Sequence, residues 1–118
     1  AETVRVALED ARRIAVQAVL SGDPAAAREI AAALLDADPD DRAALIVLAA
    51  AEPRLGRPAQ GRMAASRAWR LSDGPARRYE AARLAALAAV AEGRPWLARW
   101  WLRLALLSAP TPEDEAQT

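Results

Sequence analysis

The chain reads as an all-α protein built from helical hairpins, and three observations carry that reading. Ala supplies 33 of the 118 residues, and alanine loses less than any other residue on entering a helix. Val, Ile and Thr are sparse, Phe is absent, and no stretch alternates apolar and polar residues as a half-buried strand would. Gly-x-Pro occurs three times, at Gly22-Asp23-Pro24, Gly56-Arg57-Pro58 and Gly93-Arg94-Pro95, spaced by 34 and then 37 residues. A period of that size marks stacked structural units. Glycine just past a helix end can take the left-handed conformation, and proline at a helix start gives up an N–H that has no partner anyway. Each tripeptide is therefore expected to be a tight turn between two helices.

Alignment on the three glycines divides one domain, 1–118, into units at about 3–41, 42–74 and 75–110. In the first unit the second helix begins at Pro24 and stops before Asp38-Pro39. The second unit opens at Arg42. Pro53 should cut its first helix short, because proline lacks the amide hydrogen and clashes with the preceding turn. Its second helix covers about 58–71. The third unit opens at Pro75, with a first helix expected to be about three residues longer than the others. Stop and cap signals separate the units: Asp38-Pro39-Asp40-Asp41, Ser72-Asp73-Gly74-Pro75 and Ser108-Ala109-Pro110. Residues 111–118 are a tail or the start of a further element.

Composition narrows the function classes. All 16 basic residues are Arg, matched by 16 acids, and a net charge of zero argues against a dedicated polyanion binder. The charge is unevenly spread. Residues 1–52 hold five Arg and ten acids (−5), residues 53–83 hold eight Arg and two acids (+6), and the remainder nets −1. Without Cys there is no disulfide and no thiolate metal site. No uncharged apolar run approaches the roughly 18 residues that a membrane span needs, so no direct insertion of this segment is expected. Ala1 is the kind of small residue that signal cleavage leaves at a new terminus.

Catalysis is not expected. It calls for a group poised near neutral pH, usually His or an activated Cys or Lys, and none of the three occurs. Ser21, Ser66, Ser72 and Ser108 have no evident base, and capping or solvation accounts for them better. The acids Asp36, Asp38, Asp40 and Asp41, and Glu113, Asp114 and Glu115, fall at helix ends, where they favour the positive end of a helix dipole. The first cluster lacks the central Gly and closing Glu of a calcium loop, so no metal and no cofactor is expected. Arg62, Arg67, Arg70, Arg77 and Arg78 carry no interleaved aromatics for base stacking. The first three should lie on the outer face of a second helix, as ordinary solvated charge, so nucleic acid is not the expected partner.

Further residues recur in register with the glycines. Ala27, Gly61 and Ala98 lie five after each glycine, and Ala15, Ala49 and Ala86 lie seven before, so small residues face each other where two helices cross. Leu35, Trp69 and Leu106 lie thirteen after. This pattern of turn glycine, paired small residues, a large residue in the last turn and Pro near the unit end resembles the tetratricopeptide repeat, over about residues 8–110. The usual aromatics of the first helix are mostly replaced here by Ala and Leu.

The resemblance implies a right-handed α-solenoid of three repeats, about six helices. Its concave face would be lined by the first helices and would take a protein or peptide partner. Mapped onto this chain, the concave positions are Arg12, Val16 and Val19 (with Glu9 and Leu20), Ile46, Ala50 and Arg54 (with Ala43), and Arg83, Leu87 and Val90 (with Glu80). An apolar floor of Val16, Ile46 and Leu87 would be edged by Arg12, Arg54 and Arg83, the pattern of a binding strip. A register shifted by one would instead bury those apolar residues in the core. The Asn and Lys residues that hold a C-terminal carboxylate in chaperone-binding members are absent.

Trp96, Trp100 and Trp101 crowd the last helix. Trp96 and Trp100 share a face, while Trp101 turns about 100° away. At least one of these faces is expected to be covered by something else: a further helix, a neighbouring domain or a partner. The same end would also support a weak homodimer. The stretch from Tyr79-Glu80-Ala81-Ala82-Arg83 through Pro110 to Pro112-Glu113-Asp114-Glu115 is similar to the repeat domain that precedes a β-barrel in bacterial surface lipoprotein assembly modulators. That similarity implies a periplasmic domain of an outer-membrane protein. A cytoplasmic adaptor and a structural spacer within a larger protein are the alternatives.

Overall fold

Three near-identical turns organise the molecule. In each, the glycine has positive φ (Gly22 83°, Gly56 75°, Gly93 73°). Its N–H bonds a carbonyl three residues back, and the next N–H bonds one five back: Asp23 to Ala18 at 2.8 Å, Arg57 to Glu52 at 2.9 Å and Arg94 to Ala89 at 3.0 Å. This double closure satisfies the last carbonyls of the first helix. The proline that follows then opens the second helix. The computed structural model describes residues 1–113. Its helices are α1 (Glu2–Leu20), α2 (Pro24–Ala37), α3 (Arg42–Arg54), α4 (Pro58–Arg70), α5 (Pro75–Ala91) and α6 (Pro95–Ser108), and no strand occurs among the described residues. Residues 112–113 are again helical, while Asp114 and Glu115 lie outside the described residues.

Helix lengths follow local chemistry. Asp23 and Asp41 cap α2 and α3, accepting from Ala26 N and Ala44 N, each at 3.1 Å. Pro53 does not cut α3 short: it lies inside the helix, which ends at Arg54, two residues before its turn glycine, as α1 and α5 do, so its 13 residues reflect its start at Arg42 behind the Asp41 cap. The expectation that the third unit has the longest first helix needs correction: α5 has 17 residues but α1 has 19. The reason is upstream of the turn, since nothing in residues 2–20 interrupts α1.

Each helix pairs with the next across its turn, α1 with α2, α3 with α4, and α5 with α6. The first helix of each later pair also lies against both helices of the pair before it: α3 on α1 and α2, α5 on α3 and α4. The molecule measures 42 × 37 × 24 Å, and its short axis is about two helix diameters. Among the described residues no helix is long and apolar enough to cross a membrane.

The core is largely alanine. One cluster gathers Ala15, Ala27, Ala31 and Leu34 with Ala44, Val47 and Ala51 of α3; a second runs from Leu45 and Ala49 through Ala81 and Ala85 to Trp101 and Ala105. Leu35 and Leu48 pack against both. Small residues let the helices approach closely, and Gly61 is the extreme case. A Cβ there would lie 2.7 Å from Pro53 Cδ and 3.3 Å from the Ala49 carbonyl oxygen.

Ion pairs tie consecutive hairpins together. Arg12 Nε meets Asp41 Oδ2 at 2.9 Å, Arg42 Nη2 meets Glu80 Oε1 at 3.1 Å, and Arg67 Nη2 meets Asp40 Oδ1 at 2.8 Å. Arg62 grips Glu92 with two bonds, Nε to Oε2 at 2.6 Å and Nη2 to Oε1 at 3.2 Å. Arg62 is therefore not the ordinary solvated charge the sequence suggested, whereas Arg67 stays exposed in a surface pair. Both project from α4 onto carboxylates at the boundaries of neighbouring elements, a long-range pairing that helix position alone does not reveal.

Candidate functional site, an apolar cleft between α5 and α6

The features that build the core leave one end of it open. In α6 a stripe of Ala98, Trp101 and Ala105 is buried against the rest of the molecule. At 100° per residue the next face round the helix carries Pro95, Arg99 and Leu102. Together with Arg83, Ala86, Leu87 and Val90 of α5, they line a cleft of about 450 Å³. Leu87, Val90 and Leu102 are all substantially exposed. Its walls are aliphatic and its charges are two guanidiniums, one from each helix. Among the described residues it carries no carboxylate, hydroxyl or amide side chain, so it can take up apolar surface with an anion beside it but offers no group for acid–base chemistry.

The register shows why the cleft is open. Nine residues after the turn glycine stand Ala31, Ala65 and Leu102. The first two are 0 % exposed beneath the following hairpin, whereas Leu102 is 49 % exposed. Leu106, thirteen after its glycine, is likewise exposed, while Leu35 and Trp69 at that position are partly buried.

Of the nine concave-face positions, Arg83, Leu87 and Val90 come together in this cleft. The others are placed less uniformly. Val16 is exposed, but Val19 and Ile46 pack on the two core clusters and Ala50 is half-buried. For Val19 and Ile46 the core alternative therefore describes their surroundings. Arg12 is engaged by Asp41, and Arg54 donates from Nη1 to the Val19 carbonyl at 3.3 Å, so neither rim guanidinium is idle.

Trp96 and Trp100 are 68 % and 51 % exposed, on the side of α6 opposite its buried stripe. Trp101, expected beside them at a terminal interface, is instead in the core at 5 % exposure. It stands edge-on to Trp69 with centroids 6.3 Å apart, and edge-on to Trp100 at 4.9 Å. The 100° offset that separated Trp101 from its neighbours on the helical wheel turns it inward.

Sequence reasoning missed Pro95, Arg99 and Leu102 because it sought the concave strip only on first helices and, on the last helix, only the tryptophans. Signals were present: a Leu where the other units have Ala, and Arg in all three units six after the glycine, at Arg28, Arg62 and Arg99.

Three of the four serine hydroxyls, those of Ser21, Ser66 and Ser72, are engaged in local structure. Ser72 accepts from Arg42 Nε at 2.9 Å and donates to the Ala68 carbonyl at 2.7 Å, while Ser21 donates to the Ala18 carbonyl. Asp38, Asp40 and Asp41 line a hollow that also contains Arg12, Arg42 and Arg77. Guanidiniums there supply the countercharge a cation would bring, and no metal-holding acidic group occurs among the described residues. Comparison with family models, curated proteins and solved structures finds no match to this chain.

Proposed function

We propose that this chain is a non-catalytic protein-interaction module, a right-handed array of three tetratricopeptide-like hairpins. It would receive a peptide or helix on the apolar surface of its first helices and of the α5/α6 cleft. One observation carries the reading: Leu87, Val90 and Leu102 converge in an open cleft of about 450 Å³, although Ala31 and Ala65, at the register of Leu102, are sealed beneath the following hairpin. A pocket of that size with apolar walls and few charges suits a partner side chain or helix face. The supporting context is the repeated turn geometry, the stacking of each first helix on the preceding pair, and a residue set without His, Cys or Lys.

The test is selection of peptides from a displayed random library on the folded domain, followed by anisotropy titrations. Selected peptides should lose binding to Leu87→Asp while thermal unfolding of the variant stays close to that of the parent. Peptides that bind Leu87→Asp and Val16→Asp as well as the parent would overturn the proposal.

A further inference from the structure

We infer that the outer face of α6, which presents Trp96, Trp100, Arg103 and Leu107, docks on an anionic lipid surface. The helix lies in the plane of the interface and does not cross it. This face is separate from the α5/α6 cleft, and the inference does not depend on what that cleft receives.

The repeat register shows that the chain's own packing leaves this face open. Seven and fourteen residues after the turn glycine stand Glu29 and Asp36 in α2, Met63 and Arg70 in α4, and Trp100 and Leu107 in α6. All six are exposed, although α3 lies on α2 and α5 lies on α4. A helix stacked on α6 in the same manner reaches the positions of Leu102 and Leu106 and leaves Trp100 and Leu107 uncovered. Leu107 is 84 % exposed, more than any other large apolar side chain among the described residues. Trp96, three after its glycine, stands where the other units have Ala25 and Ala59. Only the last unit has placed large apolar groups where its counterparts carry small, flexible or charged ones.

The charge of the surroundings selects the partner. Neither α4 nor α6 contains an acid. Arg99 and Arg103 of α6 meet no carboxylate among the described residues. Residues 53–111 hold eleven Arg and three acids, a net of +8, against −5 for residues 1–52. A two-fold contact with a second copy is self-complementary, so through this face it would set Arg103 against a surface with no carboxylate on α6 or α4. Indoles and Leu beside Arg match a membrane interface instead, where Trp settles at the level of the headgroups and Arg meets their phosphates. The side chains project outward and suit an extended surface better than an inserted peptide. With 14 residues α6 is too short to span a bilayer.

The test uses the full chain with vesicles of phosphatidylcholine alone or mixed with an equal share of phosphatidylglycerol. The mixed vesicles should co-sediment the chain and shift its tryptophan emission to the blue, and the neutral vesicles should bind it roughly tenfold more weakly or worse. Trp96→Ser combined with Trp100→Ser should weaken binding to the mixed vesicles by roughly tenfold or more. Leu107→Asp should do the same while its thermal unfolding stays close to that of the parent. Leu87→Asp, in the cleft, should leave vesicle binding unchanged. No binding to the mixed vesicles, equal binding to both kinds, or binding that the tryptophan and Leu107 changes leave intact would overturn the inference. A dimer in sedimentation equilibrium that the double tryptophan variant abolishes would give the face to a second copy and overturn it too. Peptide binding that requires Leu87 would survive any of these results, so the proposed function is judged separately.

Discussion

Gly61→Ala should destabilise this protein even though it replaces glycine with the best helix former inside α4. Relief of the glycine penalty in a helix interior is worth about 1 kcal/mol. Against that, the new Cβ would lie 2.7 and 2.8 Å from Cδ and Cγ of Pro53. Those atoms belong to a ring fixed to the backbone, so α3 and α4 must move apart, and overpacking of this kind costs about 2 kcal/mol. The net loss is about 1 kcal/mol, or roughly 4 °C in Tm. Pro53→Ala should reverse the sign. It removes both clashing atoms and returns an N–H to the Ala49 carbonyl, whose i+4 donor the proline lacks. The remaining 3.3 Å approach to that oxygen then needs only slight adjustment. In the Pro53→Ala background, Gly61→Ala should stabilise by up to about 1 kcal/mol. The two positions are then coupled by about 2 kcal/mol, within the range for touching residues. Urea unfolding of the four proteins followed by circular dichroism measures the cycle. If Gly61→Ala stabilises the parent as much as it does the Pro53→Ala protein, the close crossing of α3 and α4 is not what holds glycine there.

Two further outcomes follow from the packing. Arg62→Ala strips Glu92 of two charge-assisted bonds while its side chain stays 7 % exposed, and should cost about 2 kcal/mol. Adding Glu92→Ala should recover most of that loss, whereas Arg67→Ala, which breaks an exposed pair, should cost less than about 0.5 kcal/mol; chemical denaturation of the three variants separates the cases. Tryptophan emission should contain two populations under acrylamide, and the double change Trp96→Phe, Trp100→Phe should remove the red-shifted, strongly quenched one and leave the protected signal of Trp69 and Trp101.

Much of the architecture was legible in the chain because its rules are local. A Gly-x-Pro turn needs only left-handed glycine and a proline at the first helical position, so three copies announced three hairpins. The paired small residues five after and seven before each glycine all prove buried. Alanine content and the absence of alternation made helices the only economical assignment.

What the sequence could not decide was which faces remain open, because burial depends on what lies across from a side chain. Trp101 and Trp100 are adjacent in the chain and similar in chemistry, yet one is core and the other surface. Val19 and Val90 share a register, yet α3 covers the first while nothing among the described residues covers the second. Arg62 looked like solvated charge until Glu92, thirty residues away, was brought to it. Helices and turns were thus written in spacing and backbone preference; the α5/α6 cleft, and the two arginines beside it that meet no carboxylate among the described residues, exist only because of how the hairpins stack.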